Sequence, residues 1–240
     1  MKSVHILVTC EHAGNQVPEA YQYLFDQDKG VLQTHRGIDI GALQMAQTLS
    51  LELGTKLYET SVTRLLIDCN RSMDNWELFS EYSQPLKKSV KTYLLEKYYI
   101  PYRSKVEAYL ANHTKKQTVL HLSIHSFTPI WHGKPRSVDI GLLFDESREQ
   151  EKALCHSWQD KLQAQLDDKL VMLNLPYNGA DDGFTTYLRT KFPIDKYMGI
   201  ELEINQKWAN TDELNTMLMS LVSTLLDSLA SMNAGEVVRS

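Results

Sequence analysis

Apolar runs of strand length alternate along this chain with longer stretches in which apolar residues recur every three or four positions. Seven runs predict strands, and several are apolar on both faces, as expected when helices cover both sides of a sheet. The predicted strands are Val4–Thr9, Lys56–Thr60, Arg64–Asp68, Thr118–Ile124, Val138–Phe144, Leu170–Leu173 and Met198–Ile204.

Four longer segments carry the helical spacing, and Pro101 lies inside the second of them, where it predicts two helices or a kink. The predicted helices are Gly41–Leu53, Val90–Leu110, Glu146–Leu166 and Thr211–Ala230. Alternating strands and helices predict an α/β fold of three layers, with a mainly parallel or mixed central sheet. No linker-like stretch interrupts the pattern, so we expect one domain over residues 1–240, with a loose tail at 233–240.

Composition narrows the function classes. The chain has 240 residues, of which 42% are hydrophobic and 23% charged, and its net charge is −5. No basic surface is expected, so nucleic acid is an unfavoured partner. No apolar run approaches the roughly 18 residues of a membrane span. Three scattered cysteines and a start without a signal-peptide pattern predict a cytoplasmic protein.

Two predicted strands end on a histidine. His12 follows the first strand, and His125 follows Thr118–Ile124. The carboxyl ends of strands are where α/β folds bind ligands, so two such histidines predict a metal site. The tight loop that begins at Ala13 predicts an exposed His12 imidazole, for which a surface or capping role is the alternative. His121 lies on the same face as His125 and is expected to be buried and structural.

Two acidic residues near these histidines have more than one interpretation. Glu11 is a second metal ligand, a partner that orients His12, or a solvated charge. Asp39 directly precedes a predicted helix, where aspartate is a preferred N-cap. Its carboxylate would also complete a ligand set with two imidazoles, which is familiar for zinc.

Asn70 and Arg71 follow the buried run Leu65–Ile67. An arginine at the end of a strand can hold a carboxylate through two parallel hydrogen bonds, and Asn70 beside it offers both a donor and an acceptor. The alternative is a salt bridge between Arg71 and either Asp68 or Asp74.

Two glutamates interrupt the last apolar strand. Glu201 and Glu203 face the same side, and Glu203 lies nearer the carboxyl end, where a glutamate beside an activated water acts as a general base. The alternative is that both pair with lysine or arginine on an edge strand. The loop Pro176–Thr185, which includes residues 178–183, is either a substrate-binding loop or an ordinary turn.

In order along the chain, these segments resemble the N-formylglutamate amidohydrolase family. The residues that carry the resemblance span positions 5 to about 206: Glu11-His12-Ala13-Gly14-Asn15 with Pro18, Asp39, Arg64–Asp68 with Asn70-Arg71, His125-Ser126 and Glu203-Ile204-Asn205. The resemblance implies the architecture of zinc carboxypeptidases and cell-wall amidases, hence a zinc-peptidase-like or phosphorylase/hydrolase-like three-layer fold.

The resemblance also implies roles for individual residues. It implies Zn²⁺ or another divalent cation on His12, Asp39 and His125. Asn15 stands where the carboxypeptidase type of metal loop has a glutamate, so Asp39 is the expected carboxylate ligand. The remaining implied roles are general base for Glu203, carbonyl polarisation or support of the clamp for Arg64, a carboxylate clamp for Asn70 and Arg71, and further substrate contacts for Glu201 and Ser126.

The implied activity is hydrolysis of the amide bond of an N-acyl amino acid, of the N-formylglutamate kind. The first alternative is the same chemistry on a peptide, as in a carboxypeptidase or cell-wall amidase. The second is a carboxylate-binding protein without catalysis. The third is a cysteine nucleophile, Cys10 or Cys69, with a nearby histidine.

Overall fold

The computed structural model describes residues 4–237, and a six-stranded sheet forms the centre of this part of the chain. Two further strands make a small hairpin beside it. The strands are β1 (His5–Cys10), β2 (Lys56–Glu59), β3 (Val119–Phe127), β4 (Ile130–Trp131), β5 (Lys134–Pro135), β6 (Ile140–Leu143), β7 (Val171–Leu173) and β8 (Tyr197–Asn205).

The order of strands in the sheet is β2-β1-β3-β8-β6-β7. The strands β2, β1, β3 and β8 run parallel to one another, whereas β6 and β7 run parallel to each other and antiparallel to β8. The sheet is therefore mixed, as the sequence predicts, and the carboxyl ends of β1, β3 and β8 meet at one edge.

Helices cover both faces of the sheet and complete a three-layer α/β fold, which confirms the predicted fold class. The helices are α1 (Ala42–Glu52), α2 (Lys88–Leu94), α3 (Ile100–His113), α4 (Glu149–Gln165), α5 (Phe184–Lys191) and α6 (Asp212–Val237). One hydrophobic core lies beneath α1, α4 and α6, and a second lies beneath α2, α3 and α5.

The two faces of the central strands differ in polarity. Even-numbered residues of β3 such as Leu122 and Ile124 enter the core beneath α1, α4 and α6. Odd-numbered residues of β3, among them Ser123 and His125, project towards the opposite face because side chains alternate along a strand. This second face is buried and partly polar, in contrast to the predicted apolar character of both faces.

The segment 64–68 is wrong as a predicted strand. Its residues form turns, in which the backbone N–H groups of Leu66 and Ile67 donate to the carbonyl of Thr63. Leu66 and Ile67 are nevertheless fully buried. A short apolar run predicts burial in either conformation, so hydrophobicity alone does not distinguish this turn from a strand.

Pro101 does not end its helix. Residues 88–113 are helical throughout, and a π-helical turn at Leu95–Tyr99 lies immediately before the proline. Proline lacks an N–H and clashes with the carbonyl four residues earlier in a regular α-helix. The wider π turn accommodates this misfit, so the interruption takes the form of a π turn within one helical segment.

The carboxyl-terminal helix α6 continues beyond the predicted Ala230. Residues 233–237 of the predicted tail are helical, and 238–240 lie outside the described residues. Within residues 4–237, no helix combines the length and the apolar character that crossing a membrane requires.

His121 lies in the middle of β3 and is fully buried, as the sequence predicts. Its Nε2 lies 2.7 Å from Thr9 Oγ1, and its Nδ1 lies 2.7 Å from the hydroxyl of Tyr197. These bonds join β1, β3 and β8 across the polar face of the sheet. Burial lowers the pKa of His121 to about 4.

Neutral His121 makes the stability of the fold dependent on pH. Its pKa in the folded state lies below the ordinary 6.5, so the unfolded chain takes up the proton first as the pH falls. The free energy of unfolding is therefore retained above pH 6.5 and decreases by up to about 3 kcal/mol towards pH 4. His121→Gln, which cannot take up this proton, is expected to show a correspondingly smaller decrease in urea-unfolding experiments.

The matched control for this measurement is His156→Gln, because His156 is an exposed histidine on α4. This substitution should leave the pH dependence of unfolding unchanged. Equal acid destabilisation of the wild type and His121→Gln would contradict the assignment of His121 as a buried neutral group.

Candidate active site

His12, Asp39 and His125 meet at the carboxyl edge of the sheet. Asp39 Oδ2 lies 3.2 Å from Nδ1 of His12 and 2.8 Å from Nδ1 of His125. One potential ligand atom from each residue can be chosen such that all three lie within 4.8 Å of one another, close enough for a single ion. The sequence predicts this trio, and the structure brings it together.

Three different segments deliver the trio. His12 follows the end of β1, His125 is part of β3, and Asp39 precedes α1. Gly41 has φ of 83°, a left-handed conformation that glycine adopts without steric cost, and it turns the chain from Asp39 into α1. The predicted exposure of His12 is wrong, since only 2% of the residue is accessible.

Asp39 is not the side-chain cap of α1. The N-cap position is Gly41, and no side chain caps this helix end. The backbone carbonyl of Asp39 accepts the N–H of Ala42, so the main chain closes the turn and the carboxylate remains available to the two imidazoles. The predicted N-cap role of the Asp39 side chain is therefore wrong.

Each imidazole contacts a second carboxylate through Nε2, the ring nitrogen that does not face Asp39. Asp68 Oδ1 lies 2.8 Å from Nε2 of His12. Glu11 Oε2 lies 3.4 Å from Nε2 of His125 and accepts a hydrogen bond of 2.6 Å from the Ser123 hydroxyl. Glu11 therefore orients His125, not His12 as one of the predicted alternatives had it. Such contacts orient the rings of metal-binding histidines.

The hydroxyl of Tyr102 binds the other oxygen of the Glu11 carboxylate. It donates a hydrogen bond of 2.6 Å to Glu11 Oε1 from α3, on the polar face of the sheet. Burial raises the pKa of Glu11, but hydrogen bonding and attraction to His125 outweigh burial and hold that pKa well below its usual range. Glu11 is therefore a fully buried carboxylate.

The electrostatics of the trio follow from the same contacts. Burial opposes the charge on Asp39, but the two imidazoles outweigh this and hold the pKa of its carboxyl well below its usual range. Burial lowers the pKa of His125, but hydrogen bonds to Asp39 and Glu11 outweigh burial and raise it well above its usual value. The site therefore pairs each buried charge with an opposite one, as burial of ions requires.

Glu203 lies beside His125 on the neighbouring strand β8, in register with it. Its Oε2 is buried and has no hydrogen-bond partner among the described residues. Burial raises the pKa of this carboxyl to about 8. Strand β8 is central in the sheet, and the described residues show no ion pair for Glu203, so the predicted edge-strand alternative is wrong for it.

Glu201 lies on the same face of β8, two residues earlier. Its Oε1 accepts a hydrogen bond of 2.6 Å from the Thr185 hydroxyl on α5. No ion pair of Glu201 is present in the described part of the chain either. The two glutamates therefore differ, because one has a fixed partner on α5 and the other presents an unpartnered oxygen atom.

Arg64 connects the carboxylates of the site. Its Nη1 donates to Asp39 Oδ1 at 3.4 Å, and its Nη2 donates to Asp68 Oδ2 at 3.0 Å. A quarter of its side chain remains accessible, and it lines the adjoining cavity. Arg64 is thus positioned next to the trio, and its part in polarising a carbonyl stays a prediction.

Asn70 supports the helix α5. Its Oδ1 accepts the N–H of Phe184 at 2.7 Å, which satisfies a backbone donor in the first turn of α5. Its own N–H donates to Asp68 Oδ1 at 2.9 Å. Asn70 thereby ties the carboxylate behind His12 to the helix on the neighbouring side of the cavity.

Arg71 lines the cavity beside Asn70. Its Nη1 donates to the carbonyl of Asp182 at 2.6 Å, and Glu77 Oε2 lies 3.6 Å from its Nε. The predicted salt bridge to Asp68 or Asp74 is not among its contacts in the described residues. The Nε is buried without a hydrogen-bond partner there, so the guanidinium retains capacity for a further acceptor.

The loop that the sequence left undecided is a wall of the cavity. Asp182 accepts hydrogen bonds from the backbone of Ser72 at 3.0 Å and from Asn75 Nδ2 at 2.6 Å. Asn178 and Asp181 of the same loop line the cavity. Ser126 also lines the cavity, although its hydroxyl donates to the carbonyl of Ile40 at 2.8 Å.

The cysteines are unsuited to act as nucleophiles. Cys10 and Cys69 are buried. Burial raises the pKa of Cys10 well above its usual value and that of Cys69 to about 12. The thiolate is the reactive form, so neither residue carries accessible nucleophilic character near neutral pH.

A cavity of about 720 Å³ opens directly on the trio. His12, Asp39, His125, Glu203 and Arg71 all line it. A space of this size is typical of binding sites for small molecules. The predicted site residues thus share one cavity.

The side chains of the trio fit a catalytic metal ion. Two imidazoles and one carboxylate are the protein ligands of several catalytic zinc sites, in which the fourth position remains open. The trio lines the cavity, and the Glu203 Oε2, which has no hydrogen-bond partner in the described residues, lies on the strand next to that of His125. Asp68 and Glu11 contact the other ring nitrogens of His12 and His125, as the carboxylates that orient histidine ligands do in such sites.

Comparison with known proteins gives a family match over most of the chain. Residues 4–209 match the model of the N-formylglutamate amidohydrolase family. No curated protein sequence matches the chain.

Solved structures share the fold over nearly the whole chain. A gene product of Agrobacterium tumefaciens is 26% identical, with a TM-score of 0.80, and the match covers 97% of this chain and 93% of that chain. N-formylglutamate amidohydrolase from Ralstonia eutropha JMP134 is 17% identical, with a TM-score of 0.66 and coverage of 98% and 96%.

Asp68 is the residue of the site that sequence reasoning missed. The sequence predicts Asp68 as a partner of Arg71, whereas in the structure Asp68 pairs with His12 and Arg64. One signal was available, because Asp68 ends a buried apolar run, as Glu11 does. A charged residue at such a position requires a partner.

The role of Asp68 can be tested through metal affinity. Asp68→Asn removes the charged acceptor behind His12, so the ring loses basicity and orientation as a ligand. We expect the affinity for Zn²⁺ to fall by about 10- to 100-fold, measured by competition with a chromophoric chelator.

The matched control is Asp181→Asn, since Asp181 lines the same cavity without contacting either histidine of the trio. It should bind Zn²⁺ as the wild type does. If the Asp68→Asn protein is folded, as judged by circular dichroism, and binds Zn²⁺ with wild-type affinity, the Asp68 carboxylate does not support a metal ligand.

Proposed function

The chain belongs to the N-formylglutamate amidohydrolase family, and we propose that it hydrolyses the amide bond of an N-acyl amino acid with the help of a zinc ion. The single observation that carries this proposal is the group of His12, Asp39 and His125 with Glu203 beside it. All four side chains are buried around one cavity, and the trio has the donor atoms of a catalytic zinc site.

The trio would hold Zn²⁺ or another divalent cation. When bound there, the ion would lower the pKa of a water molecule and polarise the substrate carbonyl. The contribution of the chain is to fix its ligands: Asp68 and Glu11 hold the imidazoles in place, and Arg64 balances the charge of Asp39 and Asp68.

Glu203 is the proposed general base. It accepts a proton from the attacking water and returns the proton to the departing amine as the C–N bond breaks. Support comes from its position next to His125 and from its buried Oε2, which has no hydrogen-bond partner in the described residues. Glu201 is less suited to this role because its carboxylate is held by Thr185.

Asn70 and Arg71 are the proposed binding site for the α-carboxylate of the substrate. The guanidinium of Arg71 lines the cavity, and its Nε has no hydrogen-bond partner in the described residues. Asn70 is fixed next to it by its bond to α5. Anchoring the carboxylate would hold the amide carbonyl at the trio, which is how positioning accelerates such a reaction. Arg64, beside the trio, would stabilise the developing negative charge on the carbonyl oxygen.

The general-base role separates the two glutamates of β8. With N-formyl-L-glutamate as substrate and zinc-loaded protein, Glu203→Gln should lower kcat by about 10²- to 10⁴-fold, because proton transfer is lost. Zinc content, measured by atomic emission, should remain that of the wild type.

Glu201→Gln is the matched control on the same face of the same strand. We expect it to change KM more than kcat, with kcat kept within about tenfold of the wild type, because Glu201 does not transfer the proton. Wild-type kcat in Glu203→Gln would exclude Glu203 as the base. A zinc-loaded wild-type protein that hydrolyses no N-acyl amino acid would overturn the proposed function.

A further inference from the structure

The cavity is larger than a formylated amino acid. N-formylglutamate has roughly a dozen non-hydrogen atoms, and at about 30 Å³ each, the volume of one water in the liquid, it fills at most about half of a 720 Å³ space. Several hundred cubic ångströms are therefore left for another part of the substrate. The residues that bound this space indicate its chemistry.

Two exposed aromatic side chains, Trp131 and Tyr177, line the cavity. They are 44% and 41% accessible, respectively, although aromatic residues of this size are usually mostly buried. Apolar surface that is exposed inside a concave site is a common feature of ligand binding. We define these two residues as the aromatic platform.

The hairpin that carries Trp131 is a tight one. Its strands β4 and β5 pair antiparallel, and His132 and Gly133 between them have φ values of 48° and 75°. Two central residues with positive φ are the mark of the tight hairpin turn that matches strand twist. The N–H of Arg136 also donates to the carbonyl of Pro129 at 2.8 Å, which closes the base of the hairpin.

Arg136 joins the two members of the platform. Its guanidinium carbon lies 5.0 Å from the ring centre of Trp131 and 5.1 Å from that of Tyr177. Its Nη1 also donates to the Tyr177 hydroxyl at 3.0 Å. A cation against both rings holds residues of two separate loops together, so the platform is formed before a ligand arrives.

Trp131, the member of the platform on the hairpin, is connected to the trio through β3. Strand β3 carries His125 and runs to Phe127, three residues before the hairpin, and Arg136 lies 5.6 Å from the ring centre of Phe127. The ring centre of His35 lies 6.1 Å from that of Trp131. In the described residues, no hydrogen bond, ion pair or ring contact joins Arg71 to Trp131 or Tyr177.

We propose that the substrate carries an aromatic acyl group, which packs on Trp131 and Tyr177. The inference rests on the proposed function. With the α-carboxylate on Arg71 and the amide carbonyl at the trio, the part of the substrate left to fill the remaining space is the substituent on the carbonyl carbon of the acyl group. A formyl group, whose carbonyl carbon carries only a hydrogen, leaves the platform uncovered. The site thus favours aroylated over formylated amino acids.

Binding measurements test the platform independently of turnover. Calorimetric titrations compare N-benzoyl-L-glutamate with N-formyl-L-glutamate on Glu203→Gln protein supplied with Zn²⁺, in which hydrolysis is suppressed. The benzoyl compound should bind at least tenfold more tightly. Adding Trp131→Ala should reduce this preference to less than threefold and leave the Kd of the formyl compound within twofold.

Trp76→Ala is the matched control. Trp76 also lines the cavity and is 79% accessible, but it adjoins Glu77 on the side of the clamp. The Trp76→Ala substitution should leave the ratio of the Kd values for the benzoyl and formyl compounds unchanged. Tyr177→Leu provides a second platform variant, with an expected loss of preference in the same direction.

The possible results separate this inference from the proposed function. Three results would overturn the platform. These are equal affinity for the two compounds, no binding of the benzoyl compound, and a loss of affinity in Trp131→Ala that is equal for both compounds. If the benzoyl preference depends on Trp131 but the wild type hydrolyses neither compound, the platform stands and the proposed hydrolysis fails.

Discussion

A single carboxylate oxygen, Asp39 Oδ2, holds two buried imidazoles at 3.2 and 2.8 Å, and the rest of the site is arranged around it. Three ionisable side chains out of contact with bulk water are costly unless every charge finds a partner. Removal of one partner from a buried ion pair costs several kcal/mol in comparable cases, and each member of the trio accordingly has a further oppositely charged partner: Asp68 for His12, Glu11 for His125 and Arg64 for Asp39. This constraint explains why so many polar residues gather at one edge of the sheet.

The fold meets the constraint by making one face of its central strands polar. On this face Thr9, His121 and Tyr197 form one connected group. Glu11, Ser123 and Tyr102 form a second group nearer the carboxyl edge, directly behind His125. These contacts are made by side chains of β1, β3, β8 and α3 and by Glu11 directly after β1, so the orientation of His125 is set largely by regular secondary structure. Sites built in this way are more precisely positioned than sites on loops alone.

The binding side of the cavity depends on the same framework. Asp68, which holds His12, also accepts the N–H of Asn70, and Asn70 in turn supports the first turn of α5. The carbonyl of Arg71 accepts hydrogen bonds from the Tyr99 hydroxyl and from Arg103 on α3. The proposed carboxylate clamp and the proposed metal ligands are therefore parts of one connected structure, and their separation is defined by it.

Much of the fold and of the trio was predictable, because both follow from alternation along the chain and from histidines at strand ends. The turns at 64–68 were not, since a buried turn and a buried strand have the same apolar pattern. The burial of His12 and the pairing of Asp68 depend on contacts between residues 56 positions apart, which no local pattern records. The aromatic platform could not be predicted for the same reason, because Trp131 and Tyr177 lie on separate loops that Arg136 links in the folded structure.

The presence of a metal at the trio is tested most directly by a crystal structure of the zinc-soaked protein, with anomalous diffraction measured on both sides of the zinc absorption edge. We expect one zinc peak bound by Nδ1 of His12, Nδ1 of His125 and Oδ2 of Asp39, with Asp68 and Glu11 still on the opposite ring nitrogens. A zinc peak elsewhere, or no peak at this trio in protein that is otherwise folded as described, would contradict it.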